Sequence, residues 1–184
     1  MAKMGSTDGV ICVIFFEYEA YLRESREQPK LTWSNFVTNE TDKFSIEHIL
    51  RQTPNNDYWL SRFSDYSAEQ KAALTGSLGN LLPLSSSINS NLQNDSFEDK
   101  KISKIGEHGK VVRNAYNNGS YSEIKVSELS DWTAKDIMKR GLELLNFMEN
   151  RWHINLGSNE GRLALLNLAF LESAFYPQKK AEVV

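Results

Sequence analysis

The residues best suited to chemistry fall in one ordered set: Glu47-His48, then Gly79-Asn80, then Asn89, then Lys100. A neutral imidazole accepts a proton from water near pH 7, because its unperturbed pKa is about 6.5. Glu47 offers a hard carboxylate oxygen suited to Mg²⁺, and Asn89 an amide oxygen as a second ligand; two protein ligands leave room for water and substrate oxygens. Lys100 offers a point charge for an anion. At a strand end, adjacent side chains point to opposite faces. Glu47 and His48 can therefore do different work. Taken singly, each residue also has an ordinary use. A strand histidine is usually structural, a lone glutamate is usually solvated, Asn80 after Gly79 is a turn residue, Asn89 suits a helix cap, and Lys100-Lys101 suit a solvated face.

Other chemistries find little footing. The chain has no P-loop, no GxGxxG after a strand, no GxSxG and no HExxH. It has three histidines, His48, His108 and His153, and one cysteine, Cys12. A cysteine-based zinc site and an intramolecular disulfide are excluded. His108 reads as a loop residue near Lys104, Lys110 and Arg113, and His153 as a helix-end residue. The net charge of −3 and pI of about 5.7 carry no bulk basic signature of a nucleic-acid binder. Val10–Phe16, the longest apolar run, is far short of the roughly 20 residues a membrane span needs. No signal peptide is evident, so a cytoplasmic location is expected.

These candidates need elements to position them. With 184 residues the chain fits one domain, given a prior of about 100–200 residues each. Val10–Leu22 reads as a helix, apolar nearly all round at its start and so covered on most sides. The segment from Lys43 to Leu50 reads as a strand running into a turn, and Asn80–Leu84, carrying Pro83, as an edge strand. Ser67 with Gln70 forms a capping box for a short helix to about Leu74. The stretch from Phe97 to Ile105 reads as basic and helical. Ser130–Trp152 shows the clearest helical period, through Ile137, Gly141, Leu144, Leu145, Met148 and Trp152, about five turns. Ser158 and Asn159 cap a last helix through Leu163, Leu166, Leu168 and Phe170, ended before Pro177. The four tryptophans, Trp33, Trp59, Trp132 and Trp152, read as packing residues.

The ordered set resembles the HNH, or ββα-metal, nuclease finger. More narrowly, Ser45-Ile-Glu-His-Ile-Leu50 with Gln52, Leu78-Gly-Asn-Leu-Leu-Pro-Leu84, Ile88-Asn89-Ser90, Ser96-Phe97-Glu98 and Lys100-Lys101 resemble the C-terminal nuclease domain of GmrSD-type modification-dependent restriction enzymes. Phe15-Phe16-Glu17-Tyr18-Glu19 upstream and Trp132, Arg140, Leu145 and Trp152 downstream are similar to that family's helical flanks.

The resemblance implies an α+β, mostly helical domain with an embedded ββα-metal (HNH) finger at about 43–105 and a helical C-terminal half at 130–172. Residues 1–30 would form a helix and linker toward a missing or partner domain, 31–176 the nuclease domain and 177–184 a tail. It implies a DNA endonuclease using Mg²⁺ or Mn²⁺ and acting on foreign, modified phage DNA. His48 would activate water, Glu47 and Asn89 would hold the metal, Asn80 would tie the loop and orient His48, and Lys100 would face the phosphate. Lys101, Lys104, Lys110 and Arg113 would contact nucleic acid. The expected partner is an N-terminal ParB-like NTPase domain or subunit. Arg51 stands where the close family usually has proline after His-Ile-Leu. The rival expectation is a silent docking or regulatory module with a degenerate finger.

Overall fold

A computed structural model describes residues 6–23, 30–34, 44–85, 92 and 94–175. In chain order these residues form α1 (Ser6–Arg23), β1 (Phe44–His48), α2 (Asp57–Arg62), α3 (Ala68–Gly76), β2 (Leu81–Ser85), α4 (Phe97–Lys101), β3 (Lys104–Ile105), β4 (Val111–Arg113), α5 (Tyr121–Ser127), α6 (Ala134–Trp152), α7 (Asn159–Leu165) and α8 (Glu172–Phe175). The architecture is α+β and mostly helical, with two small antiparallel sheets, β1–β2 and β3–β4.

Local chemistry sets the helix starts. The Ser67–Gln70 box opens α3, and a Thr133–Asp136 box opens α6. That second box explains why α6 begins at Ala134 rather than Ser130. Ile137, Met138, Gly141, Leu144 and Leu145 form its buried face. The larger core gathers Ile49, Trp59, Leu82, Phe97, Trp132, Ile137 and Leu163. A second cluster, Phe15, Tyr18, Leu81, Leu144 and Phe147, joins α1 to α6. Each such fully buried side chain contributes about 1.5–3 kcal/mol.

The helix α1 is covered over most of its circumference and leaves one exposed stripe. Ile14, Phe15 and Tyr18 are buried, while Val10, Val13 and Tyr21 are exposed. Its buried Glu19 accepts from the backbone N–H groups of Tyr121 (3.1 Å) and Ser122 (2.5 Å), satisfying the start of α5. A buried carboxylate just past the apolar run thus ties two distant helices together.

Three segments depart from the sequence reading. The basic stretch is helical only to Lys101; Lys104–Ile105 instead pairs with Val111–Arg113. Its β-branched residues around a Gly106–Gly109 turn outweigh the lysine spacing. The last helix stops at Leu165, because Asn167 takes a left-handed φ of 58°, and resumes as a 3₁₀ turn and α8. The helix α5, capped by a Ser120–Glu123 box, was absent from the expected elements. Trp59 and Trp132 are core residues as expected, whereas Trp33 is substantially exposed and meets Phe16 edge-on.

The β1–β2 register places His48 opposite Leu81 and Glu47 opposite Leu82. Between the strands the chain makes α2, α3 and a 3₁₀ turn, Leu78–Asn80, that lies against α6. Gly79 permits this approach: a Cβ there would lie 2.0 Å from the Ile137 carbonyl oxygen and 2.8 Å from the Gly141 nitrogen. Asn80 is thereby set beneath the end of β1.

Candidate active site

His48 ends β1, half-buried, with its Nδ1 2.8 Å from the Thr75 carbonyl oxygen at the end of α3. A carbonyl only accepts, so Nδ1 carries a proton, and in the neutral ring the lone pair is on Nε2. Nε2 lies 3.4 Å from the Gln52 side-chain amide.

Asn80 holds the loop that follows His48. It is fully buried, and its Nδ2 donates to the carbonyls of Leu50 (2.8 Å) and Thr75 (2.9 Å). Its Oδ1 accepts from Leu50 N (2.9 Å) and from the Trp132 indole (3.1 Å). Its own carbonyl accepts from Ile49 N at 3.0 Å. Asn80 and His48 therefore meet on one oxygen, the Thr75 carbonyl. Arg140 fixes the turn from the other side, donating through Nη1 to the carbonyls of Gly79 (2.8 Å) and Leu81 (2.6 Å). Burial pulls its guanidinium down to about 10.

Glu47 points the other way, as strand alternation requires. Its Oε1 accepts from Lys100 Nζ at 2.8 Å, and the same ammonium donates to the Ile49 carbonyl at 3.1 Å. Lys100 is 0% exposed and Glu47 nearly buried. Burial pulls the Lys100 ammonium below the ordinary lysine range, against the opposing pull of the Glu47 charge. Lys100, expected at the phosphate, thus sits behind Glu47, because α4 packs its last turn into the core. Among the described residues, Glu47 Oε2 accepts no hydrogen bond, and the side chain keeps 9% of its surface open. That oxygen suits a hard cation. Asn89, the other expected ligand, lies outside the described residues. Among the described residues no three His, Cys, Asp or Glu side chains converge on one point.

The expected nucleic-acid contacts divide into two kinds. Lys104 and Lys110 are exposed on the β3–β4 hairpin. Lys101 and Arg113 are turned to structural work. Lys101 donates to the Leu129 carbonyl (3.0 Å) and pairs with Glu98; Arg113 pairs with Asp95 and donates to the Asp99 carbonyl (2.5 Å). His108 lies at the hairpin tip with φ 60°, and His153 caps α6 with φ 53°. The part played by the Thr75 carbonyl was not legible beforehand, since backbone acceptors carry no sequence signal. Arg140 did carry one: a cation among the apolar positions Ile137, Gly141 and Leu144.

Fold and site together define a small α+β domain that presents an amide-clamped histidine at a strand end, beside a carboxylate of opposite facing. The model of the family "GmrSD restriction endonucleases, C-terminal domain" matches residues 3–147, and the chain belongs to that family. It is thus a restriction-endonuclease domain, with a nuclease's role in defence. No curated protein and no solved structure matches it. Among the described residues no helix is long and apolar enough to cross a membrane.

Proposed function

We propose that the domain is an HNH-type endonuclease that hydrolyses phosphodiester bonds of foreign, modified phage DNA with Mg²⁺ or Mn²⁺. The observation that carries the reading is the bond from His48 Nδ1 to the Thr75 carbonyl, held in place by Asn80. In the neutral ring it leaves Nε2, beside the Gln52 amide, as the nitrogen able to act as base. In the reaction Nε2 takes a proton from water while the water oxygen attacks phosphorus, and the P–O bond to the leaving oxygen breaks. Glu47 and Asn89 would hold the cation, whose contribution when bound is to offset charge on the phosphate and leaving oxygen. Lys100 positions Glu47 rather than meeting phosphate. Asn80 positions His48. With β1 and β2 the segment around 43–105 would form the ββα finger. A ParB-like NTPase domain or subunit would supply recognition of the modified DNA.

The buried ammonium on Glu47 favours a second reading, a silent docking module, because a carboxylate already neutralised has less to offer a cation. A supercoiled-plasmid assay with Mg²⁺ or Mn²⁺ separates the two. Metal-dependent nicking by the wild type, lost in a folded His48→Ala variant, is the expected result. Equal nicking by both proteins would refute His48 as the base. No nicking by either, with the NTPase partner supplied, would favour the silent module.

A further inference from the structure

The β3–β4 hairpin is built unlike the rest of the chain. It carries Ile105 at 65% and Val112 at 66% exposure, with Val111 beside them and Ile102 at its foot also exposed. From Lys104 to Val112 every residue except Gly106 is exposed, so the ribbon projects with both faces open. Its foot is nevertheless fixed. Arg113 is tied to Asp95 and to the Asp99 carbonyl, and Ser103 N donates to Asn117 Oδ1 at 3.0 Å. Its tip is closed by Gly106 N donating to the Lys110 carbonyl at 2.8 Å, through two left-handed residues, His108 and Gly109. A ribbon with exposed β-branched residues and open edges invites aggregation unless it serves a purpose.

We propose that this ribbon is a DNA arm that enters the groove of the duplex being cut, an inference that rests on DNA being the substrate. Three observations favour DNA as the occupant. On the ribbon itself the exposed Lys104 and Lys110 stand against Glu107 alone, Arg113 being paired with Asp95, a local positive balance in a chain of net charge −3. A two-stranded ribbon, with strands about 4.8 Å apart, fits a major groove about 12 Å wide. The arm also springs from α4, the helix whose Lys100 sits on Glu47, so arm and site share one anchor. Lys104 and Lys110 meet phosphates, while Ile105 and Val112 pack on sugars and base edges, the thymine methyl included.

The test is binding of a short fluorescein-labelled duplex to the whole chain, by anisotropy across a salt series, with EDTA present so that no cleavage is read. The pair Lys104→Gln/Lys110→Gln is expected to bind about tenfold more weakly at low salt. It should also lower the slope of log K against log salt by about two. The pair Ile105→Ser/Val112→Ser is expected to bind about tenfold more weakly with the slope unchanged. All four side chains are exposed, so unfolding midpoints should match the wild type. If only the lysine pair weakens binding, the arm skims the backbone and groove entry is refuted. If neither pair weakens it, the arm serves another partner, a protein for instance, and the proposal falls; it falls equally if the wild type does not bind DNA at all. Plasmid nicking reports separately on the nuclease, so a failed arm and a failed active site give different results.

Discussion

Replacing Lys100 by methionine should cost about 3–5 kcal/mol, the range for stranding one member of a buried ion pair. The ammonium is fully buried, 2.8 Å from Glu47 Oε1 and 3.1 Å from the Ile49 carbonyl, with the Trp59 ring 5.9 Å away. Methionine fills much the same volume and removes only the charge and its donors. Glu47 is then a nearly buried carboxylate without a partner among the described residues. Glu47→Gln strands the charge on the other side and should also destabilise, by about 2–4 kcal/mol, since the amide oxygen can still accept. Combining the two leaves no unpaired charge at this site. The double variant should therefore be no worse than the milder single one, a coupling on the order of 3 kcal/mol. Urea unfolding followed by circular dichroism at pH 7, read by linear extrapolation, measures all four corners. Additive single losses, within about 0.5 kcal/mol, would refute the buried pair and with it the argument that Lys100 positions Glu47.

Asn80→Ala removes acceptors from the Leu50 N–H and the Trp132 indole and a donor from two carbonyls; the expected loss is about 3–5 kcal/mol in urea unfolding. Glu123 is held by burial at about 7, well above an ordinary carboxylate, so the native state keeps its proton where the unfolded chain has lost it. Stability therefore falls as pH rises from about 4.5 to about 7, by on the order of 3 kcal/mol from this group, and Glu123→Gln should flatten that limb of the urea midpoint against pH. Gly79→Ala should cost about 3 kcal/mol or more, because its Cβ meets the α6 backbone, whereas Gly76→Ala, with no atom within 4 Å, should be neutral or stabilising by about 0.5 kcal/mol in the same melts.

The parts legible in the sequence were those written in local chemistry. The Ser67–Gln70 box, the spacing from Ile137 to Leu145 and the proline-bearing edge strand each name an element by residues close in the chain. The Ser120–Glu123 box is of the same kind and could have been found with the same rule. What no local rule supplies is where a side chain's charge ends up. Lys100 sits in a lysine-rich stretch that reads as a solvated face, yet α4 is so short that its last turn must enter the core to bury Phe97. Glu19 of α1 is a cap for a helix about a hundred residues away. Both facts depend on pairings across the chain, which spacing does not encode.

The same long-range pairings bear on where the nuclease unit ends. A two-stranded sheet is marginal by itself, and β1–β2 carries Glu47 and His48 at the end of just such a sheet. Part of what keeps that end fixed comes from outside the span 43–105. The indole that seats Asn80 is Trp132's, and the guanidinium that holds the carbonyls on either side of Asn80 is Arg140's. Tyr18 and Phe15, on α1, close the same helix from behind. A histidine base needs its ring held to within a fraction of an ångström, and loops alone rarely supply that. Here rigidity is borrowed from α6, 19 residues long, through one asparagine. The end of β1 and α6 therefore form one structural unit, and a change in α6 that shifts Arg140 or Trp132 reaches His48 through Asn80 and the Thr75 carbonyl.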